Sequence, residues 1–292
     1  RAKAKTTTAT TVLLLLLTVI GGVEAFFSSS SISSCATASS SLGRQTYSSI
    51  TDRKTHFGVG RSSQRDKKNT PIKMAATAAA SLTTKRLVGK LHPSTTALLV
   101  CDIQERFRPL IHNGETVIRT AKFLTSVSKE LSVPILATQQ YTKVFGPTVT
   151  DCFANPEDIG TDAVPVFEKK LFSMMTPQVK SHFTETLQNK TTSFILVGIE
   201  AHVCVQQTAL DLLEMGHDVH IVADGVSSQQ PFDREIALQR MTGAGAFLTT
   251  AQSAAFMLMQ SADHPNFKKV SKLVVEHMKL PNDFNDAMLN KK

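Results

Sequence analysis

The stretch Phe194-Ile195-Leu196-Val197-Gly198-Ile199-Glu200-Ala201-His202-Val203-Cys204-Val205-Gln206-Gln207-Thr208 decides the fold. Its apolar run ends at a glycine and reads as a strand buried on both faces, the kind found in parallel sheets whose crossovers are helices. Residues 203–215 read as an amphipathic helix, burying Val205, Leu210, Leu212 and Leu213 and ending at Gly216. A strand that feeds a cysteine into a helix start places the thiol where unpaired N–H groups and the helix dipole favour an anion. The same residue also reads as a small apolar side chain at a strand–helix junction, because free cysteine is among the most buried residue types.

The pattern repeats outward from this unit. Thr96–Cys101 is a second continuous apolar run, and Val117, Ile118, Ala121, Leu124, Val127 and Leu131 recur at helical spacing over about 114–131. Pro134–Thr138 is a short strand with its proline at the start, where a missing donor is tolerated. Residues 139–170 are rich in Gly, Pro and Asp and predict a long loop holding a short strand near 163–167. A helix near 176–189 precedes the strand at 193–197. Beyond the central unit come a strand at 218–222, a helix at 231–243, a short edge strand at 246–248 and a helix at 251–260. Strands alternating with helices at this pitch predict one three-layer α/β/α domain with a mostly parallel sheet of about six strands. Residues 263–292, with weaker periodicity and a basic end, read as a C-terminal extension. In such sheets chemistry lies beyond the carboxyl ends of the strands, near the point where strand order reverses.

The charge is unevenly distributed. Residues 1–86 hold 13 of the 32 Lys and Arg but only Glu24, Asp52 and Asp66 of the 24 acids, whereas residues 87–292 hold 19 bases and 21 acids. The strongly basic pI therefore belongs to the leader, and the nearly neutral remainder argues against a nucleic-acid partner. Within the leader, Arg1, Lys3 and Lys5 precede the apolar run Val12–Ile20 and the small-residue site Val23-Glu24-Ala25, a signal-peptide pattern too short for a membrane span. Residues 26–86 are Ser/Thr/Ala-rich, basic and acid-poor, like a transit peptide. The Ala25-Phe26-Phe27 junction resembles bipartite leaders of algae with secondary plastids. The expected arrangement is a disordered targeting leader over 1–86 (signal peptide about 1–25, transit-like tract 26–86), with a plastid address and a mature form free of membrane. Secretion and mitochondrial import are the alternative addresses. Lys73-Met74-Ala75-Ala76 resembles an internal start or processing region. With Cys35 in the leader, Cys101, Cys152 and Cys204 form no evident disulfide framework.

Two further places carry reactive groups. Asp102 follows the first strand, where an acid serves as a helix N-cap, a phosphatase nucleophile or a general base. The phosphatase role wants a second acid two residues on, and position 104 is Gln. Lys169 and Lys170 lie in Phe167-Glu168-Lys169-Lys170-Leu171-Phe172, where flanking aromatics imply burial of one lysine. A buried ammonium favours a neighbouring thiolate and keeps a neighbouring carboxylate ionised. His202, two residues from Cys204, is poorly placed to face it, and Asp224 with Gly225 reads as a cap or loop anchor. No Gly-rich phosphate loop or dinucleotide fingerprint is present.

The stretches Leu98–Gln104, Pro134–Thr148, Phe167–Met174, Val197–Leu213 and Val219–Ser228 resemble the isochorismatase-like cysteine hydrolases, with the likeness covering about residues 90–262 and the domain taken as 87–262. The Glu-Ala-His-Val-Cys-Val-Gln-Gln-Thr run is its most specific element. The resemblance implies an Asp–Lys–Cys triad on Asp102, Lys169 and Cys204. Lys169 is chosen over Lys170 because the family's lysine comes directly after Phe-Glu. It also implies a cis peptide at Ile199–Glu200 that aims the N–H of Glu200, with that of Cys204, at an oxyanion. Gln104, Phe107, Tyr141 and His202 are assigned to the substrate pocket, and the relatives' habit of assembling implies a homo-oligomer. The chain also departs from the family. Nicotinamidases of the superfamily add a metal site of an Asp and paired histidines after the second strand, but Thr138–Gly146 contains no histidine, so no metal or other cofactor is expected. Many relatives carry Glu at position 140, which is Gln here, and Thr250-Ala251-Gln252 stands where relatives read Thr-Ser-Glu.

The expected function is metal-independent hydrolysis of a small amide or related C–N bond through a cysteine thioester. Two alternatives share the fold: a non-catalytic oligomeric scaffold or binding member, and an isochorismate-type vinyl-ether hydrolase, whose chemistry does not demand a thiol.

Overall fold

A computed structural model describes residues 88–188 and 190–284. The leader, with its signal-like and transit-like tracts and Cys35, lies outside the described residues. Strand β1 (Thr96–Cys101) leads through α1 (Gly114–Glu130) to β2 (Ile135–Gln140). The connection to β3 (Val166–Lys169) carries three isolated helical turns, at Thr142–Phe145, Thr150–Cys152 and Pro156–Asp158. Helix α2 (Pro177–Glu185) then leads to β4 (Ser193–Gly198), a π-helical turn (Ala201–Val205), α3 (Gln206–Glu214) and β5 (Asp218–Val226). Helix α4 (Pro231–Gly243), β6 (Phe247–Thr249), α5 (Ala251–Met259) and α6 (Phe267–Met278) complete the described elements.

The six strands form one parallel sheet in the order β3-β2-β1-β4-β5-β6, flanked by helices. Strand order reverses between β1 and β4, which run in register from Thr96 opposite Ser193 to Cys101 opposite Gly198. The central strands are apolar throughout because both faces are covered: every residue of β1 and β4 is buried. Leu99, Phe194, Leu196, Ile221, Leu212 and Met241 belong to one core cluster. A fully buried side chain of this size contributes about 1.5–3 kcal/mol. Gly198, at the end of β4, has φ of 130°, and a Cβ there would collide with the Cys101 carbonyl oxygen. Only glycine lets β4 end this close to β1.

The structure shifts several expected boundaries. The short strand expected near 163–167 lies at Val166–Lys169, which places Lys169 at a strand end rather than in the loop. The expected helix 203–215 opens as a separate π-helical turn, with the Gln206 N–H bonding back to Ala201, before α3 begins. The C-terminal extension holds α6, whose Val270 and Val274 are buried. This helix packs on α1: His277 stacks on Phe123 at 4.4 Å, and Asn266 Nδ2 donates to the Glu130 carbonyl at 2.6 Å. Among the described residues no helix is long and apolar enough to cross a membrane.

Candidate active site

The reversal point between β1 and β4 gathers Cys101, Asp102 and Cys204, while β2 and β3 bring Thr138 and Lys169 to the same end of the sheet. Asp102 comes directly after β1 in a left-handed conformation (φ 49°), which Asp tolerates better than most residues. It is 1% exposed. Its Oδ1 accepts from Thr138 Oγ1 at 2.8 Å and its Oδ2 from Lys169 Nζ at 2.6 Å. Thr138 is available because β2 pairs it with Cys101. Asp102 caps no helix.

Lys169 ends β3 and reaches across β2 to β1. Consecutive strand residues face opposite ways, so Lys169 is 3% exposed while Lys170 stands outside, its Nζ 5.2 Å from the centre of the Tyr141 ring. The Lys169 ammonium touches four oxygens: Asp102 Oδ2, Gln140 Oε1 at 2.7 Å, the Phe172 carbonyl at 2.8 Å and the Leu171 carbonyl at 3.1 Å. Three N–H groups shared among four acceptors leave none for a sulfur. Burial opposes its charge, yet Asp102, with Cys101 and Cys204, outweighs that cost and raises its affinity for the proton.

Cys204 sits in the π-helical turn beyond β4, buried at 7% exposure. Its neighbour is Cys101, whose wholly buried thiol is pushed well up by burial, by contact with the Cys204 side chain and by Asp102. Cys101 therefore remains protonated. Thr208, one turn later, donates to the Cys204 carbonyl at 2.6 Å and accepts from the Met174 N–H at 2.9 Å, tying the turn to the loop after β3. The Ile199–Glu200 peptide is cis. The Glu200 carboxylate accepts from the Gln229 N–H at 3.1 Å and from Gln229 Nε2 at 2.7 Å, while His202 Nδ1 lies 2.9 Å from Ser228 Oγ. These contacts pin the start of the π-helical turn to the loop after β5.

The residues assigned to the pocket fall into two groups. Tyr141, just after β2, and His202, in the π-helical turn, are half-exposed. Phe107 is buried and stacked on Phe145 at 4.8 Å. Gln104 is fully buried with its amide committed to backbone: Nε2 donates to the Gln140 and Gly146 carbonyls, and Oε1 accepts from the Gln140 N–H. It clamps the end of β2 and faces no open space. Thr138, Cys101, Thr208 and Gln229 also build the site. In the sequence they read as ordinary strand, helix and loop residues, and only the register of Thr138 with Cys101 would have pointed to one of them.

The model of the isochorismatase domain matches residues 96–253. A curated relative, the secreted isochorismatase effector Isc1 of Phytophthora sojae, is 45% identical over 208 residues, covering 71% of this chain and 97% of that protein. Isochorismatase domain-containing protein 2 of Xenopus laevis is 40% identical, covering 65% of this chain and 89% of that protein. Among solved structures, the MAR1 ribonuclease of Caenorhabditis elegans is 42% identical with a TM-score of 0.58, covering 64% of this chain and 92% of that one.

Proposed function

We propose that this chain, which belongs to the isochorismatase domain family, is a cysteine hydrolase that cleaves a small amide or related C–N bond with Asp102, Lys169 and Cys204. The carrying observation is the buried 2.6 Å Lys169–Asp102 pair at the end of β1, with Cys204 on the other side of the strand-order reversal. The Asp102 carboxylate, whose Oδ2 accepts from Lys169 and Cys101 and whose Oδ1 accepts from Thr138, keeps a lone pair on Oδ1 to accept a proton. In this reading Asp102 takes the Cys204 proton and the thiolate attacks the substrate carbonyl, forming a C–S bond. Lys169, with no N–H to spare, favours both anions through its field alone.

The N–H groups of Glu200 and Cys204 donate to the tetrahedral oxyanion. Asp102 then gives its proton to the departing amine as the C–N bond breaks. Water, deprotonated by Asp102, cleaves the thioester and releases the acid and the thiol. The reactants are a small molecule and water.

The nematode relative carries the name ribonuclease. An RNA-binding face wants clustered excess cations, and residues 87–292 carry 19 bases against 21 acids. That balance favours the amide reading.

A panel of small amides and ureides, assayed with the protein lacking residues 1–86, tests the proposal. Cys204→Ala is expected to abolish turnover of any substrate found. Undiminished turnover in that variant sinks the cysteine mechanism and moves the vinyl-ether reading ahead. A homo-oligomer and a plastid address are further parts of the proposal. The first is checked by light scattering, and the second by fusing residues 1–86 to a fluorescent protein in an alga with secondary plastids.

A further inference from the structure

We infer that Gln140 sets the charge that Cys204 feels: it gives Lys169 an uncharged acceptor, so Asp102 is the ammonium's only anionic hydrogen-bond partner among the described residues. The inference rests on the proposed role of Cys204. Gln140 ends β2 opposite Lys169 in the sheet and is buried. Its amide is oriented from both ends, with Nε2 donating to the Lys170 carbonyl at 2.9 Å and Oε1 facing Lys169 Nζ at 2.7 Å. Its backbone is fixed by the Gln104 clamp. The oxygen therefore faces the ammonium by construction.

The groups around Lys169 set the charge count. From β1 come the Asp102 carboxylate, 2.6 Å from the ammonium, and Cys101, protonated; from the π-helical turn comes Cys204. On β3 Glu168 points out, where Oε1 accepts from the Thr142 N–H, and Lys170, just past the strand's end, lies over Tyr141. With Gln140 neutral, Asp102 and Lys169 sum to zero. A thiolate at Cys204 is then the second anion around one buried cation. A carboxylate at position 140 would make it the third, in a setting where low dielectric amplifies each added charge.

The test is alkylation of Cys204 by iodoacetamide from pH 5 to 10, with the label located by peptide mass at Cys204, in wild type, Gln140→Glu and the neutral, similar-sized Gln140→Met. Gln140→Glu is expected to slow alkylation at pH 7 about tenfold, the size of one pKa unit, and to reach the wild-type plateau in alkali. Gln140→Met, which removes the acceptor but adds no charge, is expected to stay closer to the wild-type profile than Gln140→Glu; a Gln140→Met slowing as large as that of Gln140→Glu overturns the inference. Superposed Gln140→Glu and wild-type profiles overturn the inference. So does equal slowing at every pH, which would mean blocked access rather than altered charge. A wild-type Cys204 no more reactive at pH 7 than an ordinary thiol is a different result: it overturns the nucleophile reading and this inference with it.

Discussion

The ends of β1 and β5 look alike in the chain, each an apolar strand running out at an acid, yet they do different work. Asp102 is held by a lysine 67 residues away and by Thr138 across the β1–β2 ladder. Asp224 accepts the N–H of Ala251 at 2.9 Å, at the first residue of α5, and so anchors a helix start. Burial raises the Asp224 pKa, with the Ala251 N–H, His277 and Arg234 only partly offsetting it. The difference lies in the neighbours. β1 borders the strand-order reversal, which brings Lys169 and Cys204 to its end, while Asp224, two residues before the end of β5, lines a cavity with Thr116, Thr120, Thr250 and His277. In the proposed reading, an acid at a strand end becomes reactive only where the topology also supplies the ammonium and the thiol.

Substitutions at the two ends sharpen this contrast. Asp102→Asn keeps the shape but removes the proton acceptor, and kcat/KM on an accepted amide is expected to fall about a thousandfold, within the range of general acid–base contributions. A loss below tenfold would break the comparison. Lys169→Met leaves Asp102 buried without its counter-charge and is expected to cost about 3–5 kcal/mol in urea unfolding.

On β5, His220 is buried with Nε2 lacking a hydrogen-bond partner, and burial pushes its pKa down to about 4. The unfolded chain takes up this proton near pH 6.5 and the folded chain only near 4, so stability is lost as pH falls through that window, by roughly 3 kcal/mol in full. His220→Leu is expected to abolish that share of the acid sensitivity, read from thermal midpoints between pH 7 and 4. The smallest effect belongs to Asp224→Asn. Because its folded pKa is raised, Asp224 favours the fold at low pH and loses that contribution as pH rises through its folded pKa. The amide keeps an acceptor for Ala251, so activity is expected to change less than twofold, and stability at pH 7 is expected not to fall.

Much of the architecture is legible along the chain because it depends on local period. Continuous apolar runs mark β1 and β4, and Gly216 and Gly243 mark helix ends where α3 and α4 stop. The tail reads as an extension of weak periodicity because α6 buries only a narrow apolar stripe, Val270 and Val274, where it packs against α1. The site is legible in part. Cys204 is marked by its strand and glycine, and Asp102 by its strand end. Gln104 reads as facing substrate because a polar residue after a strand looks free until its amide is seen bound to three backbone groups.

Side-chain polarity repeated at short range was enough to specify the alternation of strands and helices, the burial of both sheet faces and the placing of a cysteine just beyond a strand. The folded arrangement alone decided which of two adjacent lysines enters the site, which acid it meets and that Gln140 completes its coordination. Those contacts join residues dozens of positions apart, and only strand order and the alternating faces of β3 bring them within hydrogen-bonding reach. The π-helical turn also belongs to the fold: Thr208 and Gln229, from opposite sides, hold it where β4 meets the reversal point.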